Sequence, residues 1–150
     1  MKLAEALIER SDLQKRLDQL EERLQANALV QEGEEPAEDP AVLLAELDTL
    51  TDQLTELITR INLTNAATLR DGAPITALIA KRDCLTRKTR VTRRFLNTAS
   101  QTAMRSRGSE IKIRSTVSVR DIQSDMDALS KELRKVDTEI QAANWSVDLI

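Results

Sequence analysis

A mainly α fold, an antiparallel four-helix bundle with long helices and one short β segment near residues 110–119, is what this sequence predicts. Three observations point there. Leucine and other aliphatic residues recur at three- and four-residue spacing along separate stretches, which draws one apolar seam along each of several helices. Glycine and proline occur only three times each, so tight turns are few and elements long. Aromatics make up 1% of a chain that is 41% hydrophobic. The core is therefore Leu, Ile, Val and Ala, side chains that suit interdigitating helices. A single domain over residues 1–150 suits this length.

The first helix is expected over about 2–28. Leu3, Ala6, Arg10, Leu13, Leu17, Leu20, Leu24 and Asn27 keep the seam spacing without a break. Arg10 and Asn27 are polar intrusions, of the kind that fixes register or snorkels at a bundle's end. The stretch VQEGEEPAED then breaks the pattern. With Gly33, Pro36 and five carboxylates it reads as an acidic surface loop over 29–39. Its acids lack the alternating oxygen ligands of a calcium loop.

Asp39 before Pro40 places a capping acceptor ahead of a proline at the first helical position. The second helix follows to about 65, with a seam of Leu43, Leu47, Leu50, Leu54, Leu57 and Ile61 widened by Leu44 and Ile58. The connecting loop suits an antiparallel hairpin. Asp71-Gly72 marks a turn, and Pro74 opens a third helix over about 74–105. The seam here is weaker: Arg82, Lys88, Thr89 and Thr92 interrupt Ile75, Leu78, Ile79, Leu85, Val91, Phe95, Leu96, Ala99 and Met104.

From Ser109 to Val119 the period changes to two, with Ile111, Ile113, Val117 and Val119 alternating with polar residues. That reads as extended chain. Its backbone needs a partner, either near the turn at 69–75 or in the same segment of a neighbouring subunit, the second being the working expectation. Ser118 with Asp121 resembles a capping box. It opens a fourth helix over about 119–144, carrying Ile122, Met126, Leu129, Leu133, Val136, Ile140 and Ala143 at seam spacing. Trp145 and Leu149 follow as large apolar groups in a short tail, to pack back on the bundle or dock into a neighbour.

Charge is unevenly shared. Residues 1–60 hold 6 Lys/Arg against 15 Asp/Glu, residues 61–150 hold 16 against 10, and residues 81–120 hold 12 against 2. The two regions are expected to dock on each other, within or between subunits, and the basic segment is open to an anionic partner.

Several chemistries lack their residues. There is no histidine and one cysteine, Cys84, which removes the commonest general base, His- or Cys-based metal clusters and internal disulfides. A lone thiol suits a reducing cytosol. Only Gly33, Gly72 and Gly108 are available, too dispersed to cradle a phosphate. Carboxylate pairs such as Glu5 with Glu9 read as a solvated helix face. No run approaches the roughly 20 apolar residues of a membrane span, and no secretory signal opens the chain.

The opening MKLAEAL, the stretch ANALVQEGEEPAEDP, RINLTNAAT, SEIKIRSTVSV and the ending IQAANW together resemble the septicolysin-like family of small bacterial proteins. The resemblance runs over nearly the whole chain. It implies a helical protein that forms homo-oligomers, and it carries over no catalytic residue. A thiol-activated cytolysin would need a Trp-rich segment around its cysteine, whereas Cys84 sits in CLTRKTR with Trp145 61 positions away.

The function read from these residues is that of a non-catalytic, cytoplasmic structural or interaction protein. It needs no cofactor or metal and forms homo-oligomers through its helical seams, strand segment and C-terminal tail. The candidate contact residues are Arg87, Arg90, Arg93, Arg94, Arg105, Arg107, Ile111, Ile113, Trp145 and Leu149. The alternative is nucleic-acid binding by the basic segment 81–114, through Arg and Lys that neutralise phosphates. Against it stand the scarcity of aromatics for base stacking and an acidic pI of 5.2. Membrane attachment would need a broad apolar face opposite the charges, and Val91, Phe95 and Leu96 make only a thin one.

Overall fold

The computed structural model describes residues 1–102 and 111–150. Four long helices account for most of them: α1 (Leu3–Ala26), α2 (Pro40–Ala67), α3 (Ile75–Ala99) and α4 (Val119–Ser146). Two short strands, β1 (Leu69–Arg70) and β2 (Ala73–Pro74), lie between α2 and α3. The chain divides into two units, one of Met1–Pro74 with Ala143–Ile150, the other of Ile75–Ala142.

In the first unit, α1 starts where the Lys2 backbone N–H donates to Glu5 Oε2 at 2.6 Å, satisfying a donor that has no partner inside the helix. The expected cap of α2 is in place: Ala41 N–H donates to Asp39 Oδ1 at 2.9 Å, with Pro40 in the first turn. The two helices are antiparallel, since Arg23 near the end of α1 pairs with Glu46 near the start of α2. Their shared core is the expected pair of seams. Leu3, Ala6, Leu13 and Leu20 of α1 and Leu43, Leu50, Leu57 and Ile61 of α2 are buried. Arg10 is half-buried at its seam position.

The Asp71-Gly72 turn closes a two-residue hairpin, β1 pairing antiparallel with β2. Both turn residues have positive φ, 48° and 83°, the backbone such a hairpin needs to follow strand twist. This is where the short β element lies. Residues 111–118, expected as extended pairing chain, form neither strand nor helix, and position 110 lies outside the described residues. Alternation makes a strand only where a ladder partner is free. The nearest candidate, the turn region at 69–75, is already paired with itself.

The C-terminal tail folds back on its own unit. Leu3 N–H donates to Val147 O and Leu149 N–H to Met1 O, both at 2.9 Å. Lys2 Nζ meets Asp148 Oδ1 at 2.9 Å, and Ile150 N–H donates to Thr64 Oγ1 at 3.0 Å. Leu149 is half-buried in this clasp.

In the second unit, α3 and α4 are antiparallel: Lys81 reaches Glu132, while Phe95 and Ile122 border one groove. Buried here are Ile75, Thr89 and Leu96 of α3 and Met126, Val136 and Ile140 of α4. Helix α3 ends earlier than its expected boundary at 105. Ser100 Oγ donates to Leu96 O at 2.7 Å, and Gln101 and Thr102 N–H turn to Thr98 O and Ser100 O, bonds too tight to continue an α-helix. Ser118 caps α4 through the Asp121 N–H.

Candidate functional site

The weak seam of α3 explains its surface. Thr89 rather than Val91 is turned into the core, because residues 89 and 96 share one helix face and residues 91 and 95 another. Val91 and Phe95 remain 60% and 46% exposed. They border a groove of about 590 Å³ between α3 and α4, shared with Ile122, Leu129 and Ala128 and edged by Lys88, Asp125 and Glu132. A shallower hollow of about 370 Å³ continues over Cys84, Arg87 and Lys88. The Lys81 ammonium, 2.9 Å from Glu132 Oε1, holds that carboxyl below its usual range by hydrogen bonding and charge, against desolvation and with further help from Lys88 and Lys135.

The same helix carries a bare basic stripe. Helix α3 carries Lys81, Arg82, Arg87, Lys88, Arg90, Arg93 and Arg94 against one carboxylate, Asp83. Arg82 pairs with Asp83 at 2.8 Å and Lys81 with Glu132. Among the described residues, no carboxylate lies within 4 Å of Arg87, Arg90, Arg93 or Arg94. Spacings of three and four put Arg87, Arg90 and Arg94 on one face of the helix; Arg93 falls on another.

The remaining sequence-predicted residues are dispersed. Arg105 and Arg107 lie outside the described residues. Ile111 and Ile113 are exposed in irregular chain. Trp145 is 60% exposed on the last turn of α4, and Leu149 is held in the terminal clasp. Sequence reasoning missed the groove itself. Its signal was the pairing of Val91 with Phe95 at four-residue spacing, off the face that carries Leu85, Thr89 and Leu96.

A second exposed apolar cluster sits on the acidic loop, where Leu29 is 89% and Val30 49% exposed. Among the described residues no group of three or more His, Cys, Asp or Glu is placed to hold a metal ion. No helix there is long and apolar enough to cross a membrane.

No curated protein matches this chain. A crystal structure described as that of a functionally unknown conserved protein from Corynebacterium diphtheriae is similar throughout, at 37% sequence identity and a TM-score of 0.93, covering 100% of this chain and 99% of the other. Residues 10–149 match the family described as "Family of unknown function (DUF6847)", and the protein belongs to that family.

Proposed function

We propose that this protein is a non-catalytic assembly component that associates with further copies of itself through the groove between α3 and α4. The observation that carries the reading is the exposure of Val91 and Phe95 in that groove. Two adjacent large apolar groups in a concave, charge-edged site are costly to leave in water, and such patches mark interaction surfaces. A further copy fits by charge, because α3 is strongly basic while residues 1–60 are strongly acidic. The resemblance to the septicolysin-like family adds support for homo-oligomers. The exposed, unpaired thiol of Cys84 supports a reducing compartment, the cytosol.

Sedimentation velocity on the full chain tests this. Association that rises with concentration, and is lost in Val91→Asp/Phe95→Asp, is the expected result. A wild-type protein that stays at its single-chain mass of 16.8 kDa across a wide concentration range overturns it.

The bare arginines favour one second reading, binding of a nucleic acid through Arg87, Arg90, Arg93 and Arg94. Titration of labelled DNA and RNA at low and physiological salt decides it, since phosphate contacts weaken steeply as salt rises. Absence of binding at low salt ends that reading.

A further inference from the structure

The loop joining α1 to α2 is tied at its neck. Glu38 N–H donates to Asn27 Oδ1 at 2.9 Å. Arg23 grips the Glu38 carboxylate, with Nη2 2.6 Å from Oε1 and Nε 3.0 Å from Oε2. Between these ties the chain projects Leu29 and Val30, followed by Glu32, Glu34 and Glu35. Among the described residues none of these three carboxylates has a cation within 4 Å. Gly33, at a φ of 89°, turns the chain at the tip.

An exposed apolar pair on an acidic loop calls for an acceptor that is both apolar and basic. The groove between α3 and α4 has Val91, Phe95 and Leu129 inside, Lys88 with Asp125 and Glu132 at its edge, and Arg87 with Lys88 in the hollow that continues it. Glu132 is already paired with Lys81, which leaves Lys88 and Arg87 to meet the loop carboxylates. The groove's volume of about 590 Å³ lies in the range that buries a drug-sized group. That is ample for one leucine and one valine. A loop already tied at its neck loses little freedom on docking.

We infer that the acidic loop of one copy seats in the α3–α4 groove of the next. This rests on the self-association proposed above and specifies its geometry. The contact is head-to-tail, because each copy offers one loop and one groove, so the assembly closes into a ring or extends as a chain. It weakens as salt screens the loop carboxylates from Arg87 and Lys88.

The experiment uses two variants of the full chain, one in the loop (Leu29→Asp/Val30→Asp) and one in the groove (Val91→Asp/Phe95→Asp). Each variant alone is expected to sediment at 16.8 kDa, and an equimolar mixture at twice that mass. One intact loop then meets one intact groove. A loop variant that keeps the wild-type mass overturns the inference while leaving association through the groove standing. A mixture that stays at single-chain mass overturns it as well, and a monomeric wild type overturns both readings. The charge-swapped pair, Glu34→Lys/Glu35→Lys with Arg87→Glu/Lys88→Glu, alters only exposed side chains, so it repeats the complementation where an aspartate variant fails to fold. Each swapped variant alone must stay at single-chain mass, and the two mixed together must regain the wild-type mass, because both loop-to-groove contacts are then complementary; if they do not, the inference fails.

Discussion

Asn27 Oδ1 accepts the backbone N–H of Glu38 at 2.9 Å, while its own amide nitrogen donates to Arg23 O at 2.9 Å. One buried side chain thereby ends α1 and closes the loop that follows. Removing it leaves a loop N–H and a helix-end carbonyl without these partners. Asn27→Ala is expected to cost about 1–2 kcal/mol, read as a lower urea midpoint with an unchanged slope. A midpoint equal to wild type would mean that water replaces both bonds without loss.

The neighbouring ion pair makes this region sensitive to acid. The Arg23 guanidinium, hydrogen-bonded to Glu38 and close in charge, holds that carboxyl below the usual glutamate range against desolvation; Arg23 also meets Glu46 at 3.3 Å. A carboxyl held low in the folded state contributes stability that is fully present above the unfolded value of about 4.3. That contribution is lost as pH falls through the lower folded value. Thermal midpoints measured from neutral pH downward should therefore fall more steeply below about pH 4.3 in wild type than in Glu38→Gln. Parallel curves would show that the pair adds nothing to the acid response.

Thr64 anchors the terminal clasp. It is fully buried, its hydroxyl donates to Arg60 O at 2.8 Å and accepts from Ile150 N–H at 3.0 Å. Arg60 Nε in turn donates to Ile150 O at 2.8 Å. Valine keeps the shape and loses both bonds, so Thr64→Val is expected to cost about 1–2 kcal/mol. Removing residues 147–150 should lower the melting temperature and leave the sedimenting mass unchanged, because the tail's polar contacts are with its own chain. A drop in mass on that truncation would make the tail an assembly element after all.

The seams were legible because burial and sequence share a period. Every position expected along α1 from Leu3 to Asn27 is buried or half-buried, Arg10 included. The caps at Asp39 and Ser118 and the turn at Asp71-Gly72 were legible too, since each depends on chemistry within a few residues. Within the chain the extended segment at 111–118 forms no strand, because alternation at Ile111 and Ile113 states a preference without supplying a partner strand. The role of Asn27 was hidden for a related reason. Its partner Glu38 lies eleven residues on, across a loop whose path no local pattern encodes. The groove escaped because Val91 and Phe95 count as seam residues until the true core face, through Thr89 and Leu96, is known.

Thr89 is set apart from most of the helical threonines by its burial. Thr55, Thr59, Thr64, Thr86, Thr98 and Thr138 each donate a hydroxyl to the carbonyl four residues earlier. The Thr89 hydroxyl is buried, and no partner for it exists among the described residues. An unsatisfied buried hydroxyl costs about 1–3 kcal/mol in lost hydration. Valine has nearly the same outline and favours one rotamer on a helix. Thr89→Val is therefore expected to raise stability by about 1 kcal/mol, seen as a higher urea midpoint at constant slope. Thr89→Ser keeps the polar group and removes a methyl, so it should lower the midpoint. If valine destabilises instead, the hydroxyl has found a partner, and the interior of the α3–α4 unit is more polar than its side chains indicate.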